Sequence, residues 1–252
     1  MSRGPDRLAR RSLLFLIVLV LWTLPARGED LVADLTSHLI AITTGFSGAS
    51  VVLFGATDGR GDVVVVVRGP DREMTVRRKR RIAGVWINTQ AVTFGNVPSF
   101  YSVAASNPLD EIVSPATAGL YRLGITNLKL EPKTSAPPAA VEAFEQALIR
   151  TQQAAALFPT SVGKVNFLGE RLFRTTISFP SNVPIGTYLV EVFLVRGMDV
   201  ISGQTTPLVV SKVGVDAAVF EFAHRQAALY GAIAVLTAMV AGWLASLPFR
   251  GA

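Results

Sequence analysis

Two apolar segments, one near each end of this 252-residue chain, limit what it can fold into more than any other feature. The first, Leu13–Leu24, reads LLFLIVLVLWTL and follows Arg3, Arg7, Arg10 and Arg11. It has the three parts of a secretory signal: a positive start, an apolar core short of the ~20 residues a spanning helix needs, and small residues at Ala26 and Gly28 for a cut after Gly28. An uncleaved anchor is the alternative. The second, Ala227–Leu247, has no charge inside it, and at ~1.5 Å per residue it matches the ~30 Å hydrocarbon core of a bilayer. Tyr230 and Trp243 lie towards its two ends, where amphipathic rings favour the membrane interface. Gly231, Ala234, Ala238 and Gly242 put small residues at helical spacing, a weak pattern for helix–helix contact, and Arg250 follows the span. The expected layout is a signal at 1–28, a periplasmic β-rich domain at 29–225, a transmembrane helix at 226–248 and a cytoplasmic tail at 249–252. The chain is then a single-pass protein of a bacterial inner membrane.

The net charge of +6 says little about the domain, because residues 1–28 hold five Arg against one Asp and the remainder is close to balanced. A nearly neutral domain gives no global argument for nucleic acid. With no cysteine and only His38 and His224, most metal sites built from soft or imidazole ligands are removed, and neither a metal nor a cofactor is implied.

Between the ends, residues 38–80 read as strands. HLIAIT, ASVVLFGAT, DVVVVVRG and EMTVRRK are short β-branched or apolar runs separated by Gly, Ser, Asp and Pro. Val63–Val67 is five valines in a row, the pattern of a central strand covered on both faces. Asp58-Gly-Arg-Gly-Asp62 has the composition of a hairpin turn, and its Arg-Gly-Asp tripeptide is incidental. From about 81 to 160 the pattern changes. Irregular aromatics precede a short helix at Pro108-Leu-Asp-Glu, with Asp110 and Glu111 in its first turn. A longer helix is announced by Thr134-Ser-Ala-Pro-Pro, with Val141, Phe144, Leu148, Thr151, Ala155 and Phe158 as its stripe. After Pro159, LFRTTISF alternates, and a Gly186-Thr-Tyr188 opening leads into a long strand, a turn and a final strand. Tyr188 would sit where immunoglobulin-like sandwiches place a corner tyrosine. The expected fold is mainly β: one immunoglobulin-like β-sandwich with an α-helical insertion over about 81–160. Two smaller abutting domains are the alternative.

The order of these segments resembles a family of uncharacterised transmembrane proteins from alphaproteobacteria. The runs that carry the resemblance are ADLTSHLIAITTGFSGASVVLFGAT, VVVVVRGPDREMTVRRKRRIAGVWINT, VPSFYSVAAS, FRTTISFPSNVPIGTYLVEVFLVR and the tail ending GWLASLPFR. It covers nearly all of the chain after the signal. It implies an exported domain with a C-terminal membrane helix and an accessory role beside exporters that resemble the sulfite and organosulfonate exporters. It carries over no catalytic residue.

Arg77, Arg78, Lys79, Arg80 and Arg81 form the one conspicuous local charge. Five adjacent like charges repel, so a counter-charge is expected: anionic headgroups, an acidic partner loop or a small oxyanion. On a strand, Arg78 and Arg80 would face away from Arg77, Lys79 and Arg81. A solvated edge strand guarded by charge is the plainer reading of the same run. Nucleophile patterns are poor. Gly45-Phe-Ser-Gly48 lacks the spacing of a nucleophile elbow, and Ser161-Val-Gly-Lys164 lacks the helix and companion motifs that a Ser-x-x-Lys site requires. His38 reads as a structural residue. The sequence therefore points away from an enzyme and towards a membrane-anchored accessory protein beside an inner-membrane transporter. An oxyanion-binding module built on 77–81 is the second reading, and an envelope hydrolase the third.

Overall fold

The computed structural model describes residues 30–82, 84–134, 137–214 and 222–246, with side chains as far as Trp243 in the last stretch. The expected signal at 1–28 and Arg250 lie outside the described residues. In chain order the first strands are β1 (Leu31–Leu35), β2 (Leu39–Ile42), β3 (Gly48–Thr57), β4 (Asp62–Arg68), β5 (Asp71–Ile82), β6 (Val85–Pro98) and β7 (Tyr101–Ala105). Next come α1 (Leu109–Ile112), α2 (Pro115–Tyr121), a 3-10 turn at Ile125–Asn127, β8 (Glu131–Pro132) and α3 (Pro138–Ala154). The chain closes with β9 (Gly163–Lys164), β10 (Asn166–Leu168), β11 (Leu172–Pro180), β12 (Gly186–Arg196), β13 (Asp199–Lys212) and α4 (Ala227–Ser246).

Side-chain alternation decides how the strands stack. In β11, Phe173, Thr175, Ile177 and Phe179 are buried while Leu172, Arg174, Thr176 and Ser178 are exposed, so one face meets the core and the other faces water. It belongs to a sheet in the order β1-β3-β11-β10, antiparallel throughout. The second sheet runs β2-β13-β12-β4-β7-β9, with parallel pairs only at its two edges. Its β4 has no alternation, because Val63 to Val67 are all at most 1% exposed. Val63, Val65 and Val67 meet Leu53, Phe173, Val190 and Val192 in the core shared with the first sheet. Val64 and Val66 meet Val103, Phe144, Leu148 and Phe158 in a second core on the opposite face. Full burial of one valine contributes roughly 1.5–3 kcal/mol relative to leaving it exposed, so this strand anchors both layers.

Three expectations change. Asp58–Asp62 does not close a hairpin: β3 and β4 lie in different sheets, and the segment crosses from one to the other. Arg196 fastens this crossing, pairing with Asp58 and donating from Nε to the Arg60 carbonyl at 2.7 Å. The segment at about 81–160 is not helical throughout. Val85–Pro98 and Tyr101–Ala105 are strands, and helices begin only at Leu109. The aromatics there are irregular because the outer half of β6 is exposed on both faces, which removes the alternation that marks a half-buried strand. Finally, Pro137, not Thr134, caps α3, and its buried stripe runs Phe144, Leu148, Gln152 while Thr151 stays exposed. Gln152 turns inward because its side-chain amide lies against the Met74 sulfur at 2.6 Å.

Tyr188 lies near the start of β12. The Tyr188 ring is fully buried between Phe100 and Phe179, and its hydroxyl donates to the Pro184 carbonyl at 2.6 Å. Burial pushes this phenol up to about 12, and burial does the same for Tyr101.

Among the described residues no helix is long and apolar enough to cross a membrane. The backbone of α4 is helical for 20 residues with no acidic residue in its first turn and no basic residue in its last, and its described side chains end at Trp243.

Tyr188→Phe removes one buried hydrogen bond and is expected to lower the unfolding free energy by about 1–2 kcal/mol in denaturant titrations. Both phenols ionise near 10 when unfolded and near 12 when folded, so raising pH through this window draws protons from the unfolded chain first. Stability should therefore fall from about pH 10 to about pH 12, and fall less steeply in Tyr188→Phe. A flat profile across the window would contradict the burial of these rings.

Candidate functional site

The five consecutive cations lie on a two-stranded arm. β4 and β7 pair as far as Arg68 opposite Tyr101. The ladder continues through Gly69 N–H to the Phe100 carbonyl (2.8 Å) and Ser99 N–H to the Pro70 carbonyl (3.0 Å). From there β5 and β6 pair from Asp71 opposite Pro98 to Ile82 opposite Val85. The arm is thus the outward continuation of the central valine strand and its neighbour. Gly84 closes the tip with φ +87°, a left-handed conformation that favours glycine, and its carbonyl accepts from Arg81 Nε at 3.2 Å.

Only the root of the arm is covered. Met74, Val76, Val92 and Phe94 pack in the second core with Phe144 and Leu148 of α3. Beyond them every residue from Arg77 to Ile82 is exposed. β5 is an edge strand, paired with β6 alone, so the run of charge also guards that edge. Along β5, Arg77, Lys79 and Arg81 take one face and Arg78 and Arg80 the other. Arg78 leans back over the Phe144 ring at 5.0 Å and donates to Gln90 at 3.3 Å. None of the described ion pairs involves these five side chains. The charges thus divide between the two faces of the ribbon, three on one and two on the other.

The tip holds residues that the sequence reading passed over. Ile82, Val85, Trp86 and Ile87 are 51%, 62%, 66% and 46% exposed and gather at the closed end of the hairpin. Their signal in the sequence was an aromatic and aliphatic run directly after a charge run, with no alternation to hide it.

A second apolar surface lies on the solvent face of the first sheet. Val32, Phe54, Leu168 and Leu172 are each about half exposed, and with Ala56 and Arg174 they line a shallow depression of about 370 Å³. Cross-strand register explains the grouping, because Val32 and Leu172 both lie opposite Ala56, and Leu168 opposite Leu172.

A cavity of about 500 Å³ at the root of the arm is lined by Arg68, Asp71, Tyr121, Arg122 and Glu191, among others. Its guanidinium is already engaged. Arg68 pairs with Glu191 and donates to the carbonyls of Tyr121 (2.7 Å) and Arg122 (3.3 Å), while Tyr101 donates to the same Arg122 carbonyl at 2.8 Å. These bonds staple α2 to the second sheet where the arm departs, and we read the cluster as a joint.

The remaining candidates stay apart. Ser161 lies in a loop and Lys164 ends the short β9, so no helix brings the lysine under the serine. His38 contacts Asp34 at 2.9 Å on an exposed surface. Asp110 and Glu111 lie in the first turn of α1. Tyr230 and Trp243 are exposed near the two ends of α4, and a Cβ at Gly231 would meet nothing within 4 Å outside its own helix backbone and chain neighbours.

Fold and surfaces together define a mainly β domain that carries a cationic, apolar-tipped arm and a C-terminal helix. Residues 30–251 match the family described as "Putative transmembrane protein (Alph_Pro_TM)", and the chain belongs to that family. No curated protein and no solved structure matches the chain.

If the arm contributes nothing to the core, Trp86→Ala and Arg80→Gln should each shift the unfolding free energy by no more than about 0.5 kcal/mol. Phe94→Ala, by contrast, removes a fully buried ring at the root and should cost about 3–5 kcal/mol, read in the same melts.

Proposed function

We propose that this protein is a membrane-anchored accessory protein whose periplasmic domain docks on a partner in the same membrane, with a multi-spanning transporter as the expected partner. The observation that carries the reading is the apolar depression on the first sheet. Half-exposed Val32, Phe54, Leu168 and Leu172 form a contiguous surface of the kind that marks a contact site. Anchoring supports it. The uncharged run from Ala227 to Leu247 would supply the anchor, and the described part of α4 exposes Ile233, Leu236, Met239 and Val240. Tyr230 and Trp243 fall where interfacial rings belong. A shared bilayer raises the effective concentration of anchor and partner, so a weak contact suffices.

The domain is read as immunoglobulin-like. What supports this is the strand order: β1-β3-β11-β10 corresponds to A-B-E-D, and β2-β13-β12-β4-β7 to A′-G-F-C-C′. The Tyr188 hydroxyl bond to Pro184, four residues upstream, is the corner found at the start of strand F in such folds.

The test is affinity purification of the tagged chain from native membranes in mild detergent, with identification of what accompanies it. The expected result is stoichiometric recovery of a multi-spanning transporter, lost in a Phe54→Asp/Leu172→Asp variant whose melting is unchanged. Recovery of the chain alone, or only of further copies of itself, would overturn the accessory reading.

A further inference from the structure

We infer that the tip of the β5–β6 arm contacts the anionic headgroup surface of the bilayer that holds the protein. The apolar Ile82, Val85, Trp86 and Ile87 would enter the interface, and Arg77, Arg78, Lys79, Arg80 and Arg81 would meet lipid phosphates around them. The inference rests on the anchored reading above and goes beyond it by assigning a second membrane contact.

Three features of the arm carry it. The first is the order of chemistry along its length. Four exposed apolar side chains occupy the closed end, and five cations without ion-pair partners among the described residues follow immediately behind. A bilayer surface presents the matching layers, anionic headgroups outside and an apolar boundary beneath, and tryptophan is enriched at that boundary.

The second is the division of the cations between both faces of the ribbon. A protein groove or a small oxyanion would engage one face. A ribbon entering a surface end-on is ringed by headgroups, so cations on either face find phosphates. This geometry explains a distribution that the oxyanion reading leaves unused.

The third is where the arm leaves the sheet. Arg68 at its root lies opposite Leu189 near the start of β12, and Gly186 at that start lies opposite Val210 near the end of β13. The arm therefore departs from the same end of the second sheet at which the chain runs out of β13 towards α4. Twelve residues of β5 at ~3.3 Å each reach about 40 Å. Residues 213–221 can span at most about 30–32 Å at 3.3–3.6 Å per residue, and the helical turn at 222–226 adds about 7 Å at ~1.5 Å each. The two lengths are comparable, so the tip can reach the plane where α4 begins. A two-stranded ribbon is at best marginally stable in water by itself, and a surface that neutralises its charge and covers its tip would stabilise it.

The test uses the full chain reconstituted into vesicles of phosphatidylcholine, with or without phosphatidylglycerol. Trp22→Phe and Trp243→Phe leave Trp86 as the sole tryptophan, and brominated lipids report its contact with the bilayer. In phosphatidylglycerol vesicles Trp86 emission should shift to the blue and be quenched by bromines near the headgroup. Quenching should fall about threefold in phosphatidylcholine alone or when residues 77–81 are changed to Gln. A companion chain that keeps only Trp243 reports on α4. If Trp243 is quenched and Trp86 is not, the arm proposal is overturned and anchoring stands. That is also the outcome if the arm's occupant is a protein, since the vesicles contain none. If Trp243 is not quenched, the anchored reading fails on its own. Equal quenching of Trp86 in both lipids would overturn the role given to the cations.

Discussion

Burial of β4 on both faces is the constraint from which the rest of the architecture follows. A strand with apolar side chains on both sides must have a layer above and a layer below, and the chain supplies them differently. The first sheet covers Val63, Val65 and Val67, whereas α3, the root of β6 and the segment around α1 and α2 cover Val64 and Val66. Because β4 is paired on both edges, by β12 and β7, it is fixed in register as well as in depth. Whatever continues the β4–β7 ladder past the sheet has its root fixed by that register. The arm does so, and thus can project charged and apolar side chains that could not form a stable hairpin alone.

This explains which parts of the structure were legible in the sequence. The five valines announced a central strand because continuous burial has no polar alternation. β11 was readable for the opposite reason: one face is wet, so buried and exposed residues alternate along it. Gly and Asp between β3 and β4 mark a reversal but cannot say whether the chain returns in the same sheet or crosses to the other, so a hairpin was the wrong inference. β6 was hidden because its outer half has no core face. Gln152 took the place expected for Thr151 on the α3 stripe because a partner sulfur, remote in sequence, satisfied its amide.

The candidate site was half legible. The basic run at 77–81 was plain, and its division between two faces follows from strand geometry. The apolar tip was not, because exposure of Trp86 and its neighbours depends on the arm reaching beyond the cores that would otherwise bury them. The depression around Phe54 was also invisible, since Val32, Phe54, Leu168 and Leu172 meet only through cross-strand register. Both surfaces thus come from the same sandwich: one is the solvent face of its outer sheet, the other the continuation of its central strand. On the proposed reading the first would dock a partner and the second would meet lipid, and the two together would hold the domain at a fixed attitude to the membrane.

Hydrogen–deuterium exchange of the full chain, first in neutral detergent and then in membranes containing anionic lipid, tests this account most directly. The account expects the slowest exchange at β4 and β12 in both settings. It expects residues 77–91 to exchange fast in detergent and markedly more slowly in the membrane. An arm that exchanges as slowly as β4 in detergent, or exchanges equally fast in both settings, would contradict the claim that it is an exposed ribbon, fixed only at its root and completed by the bilayer surface.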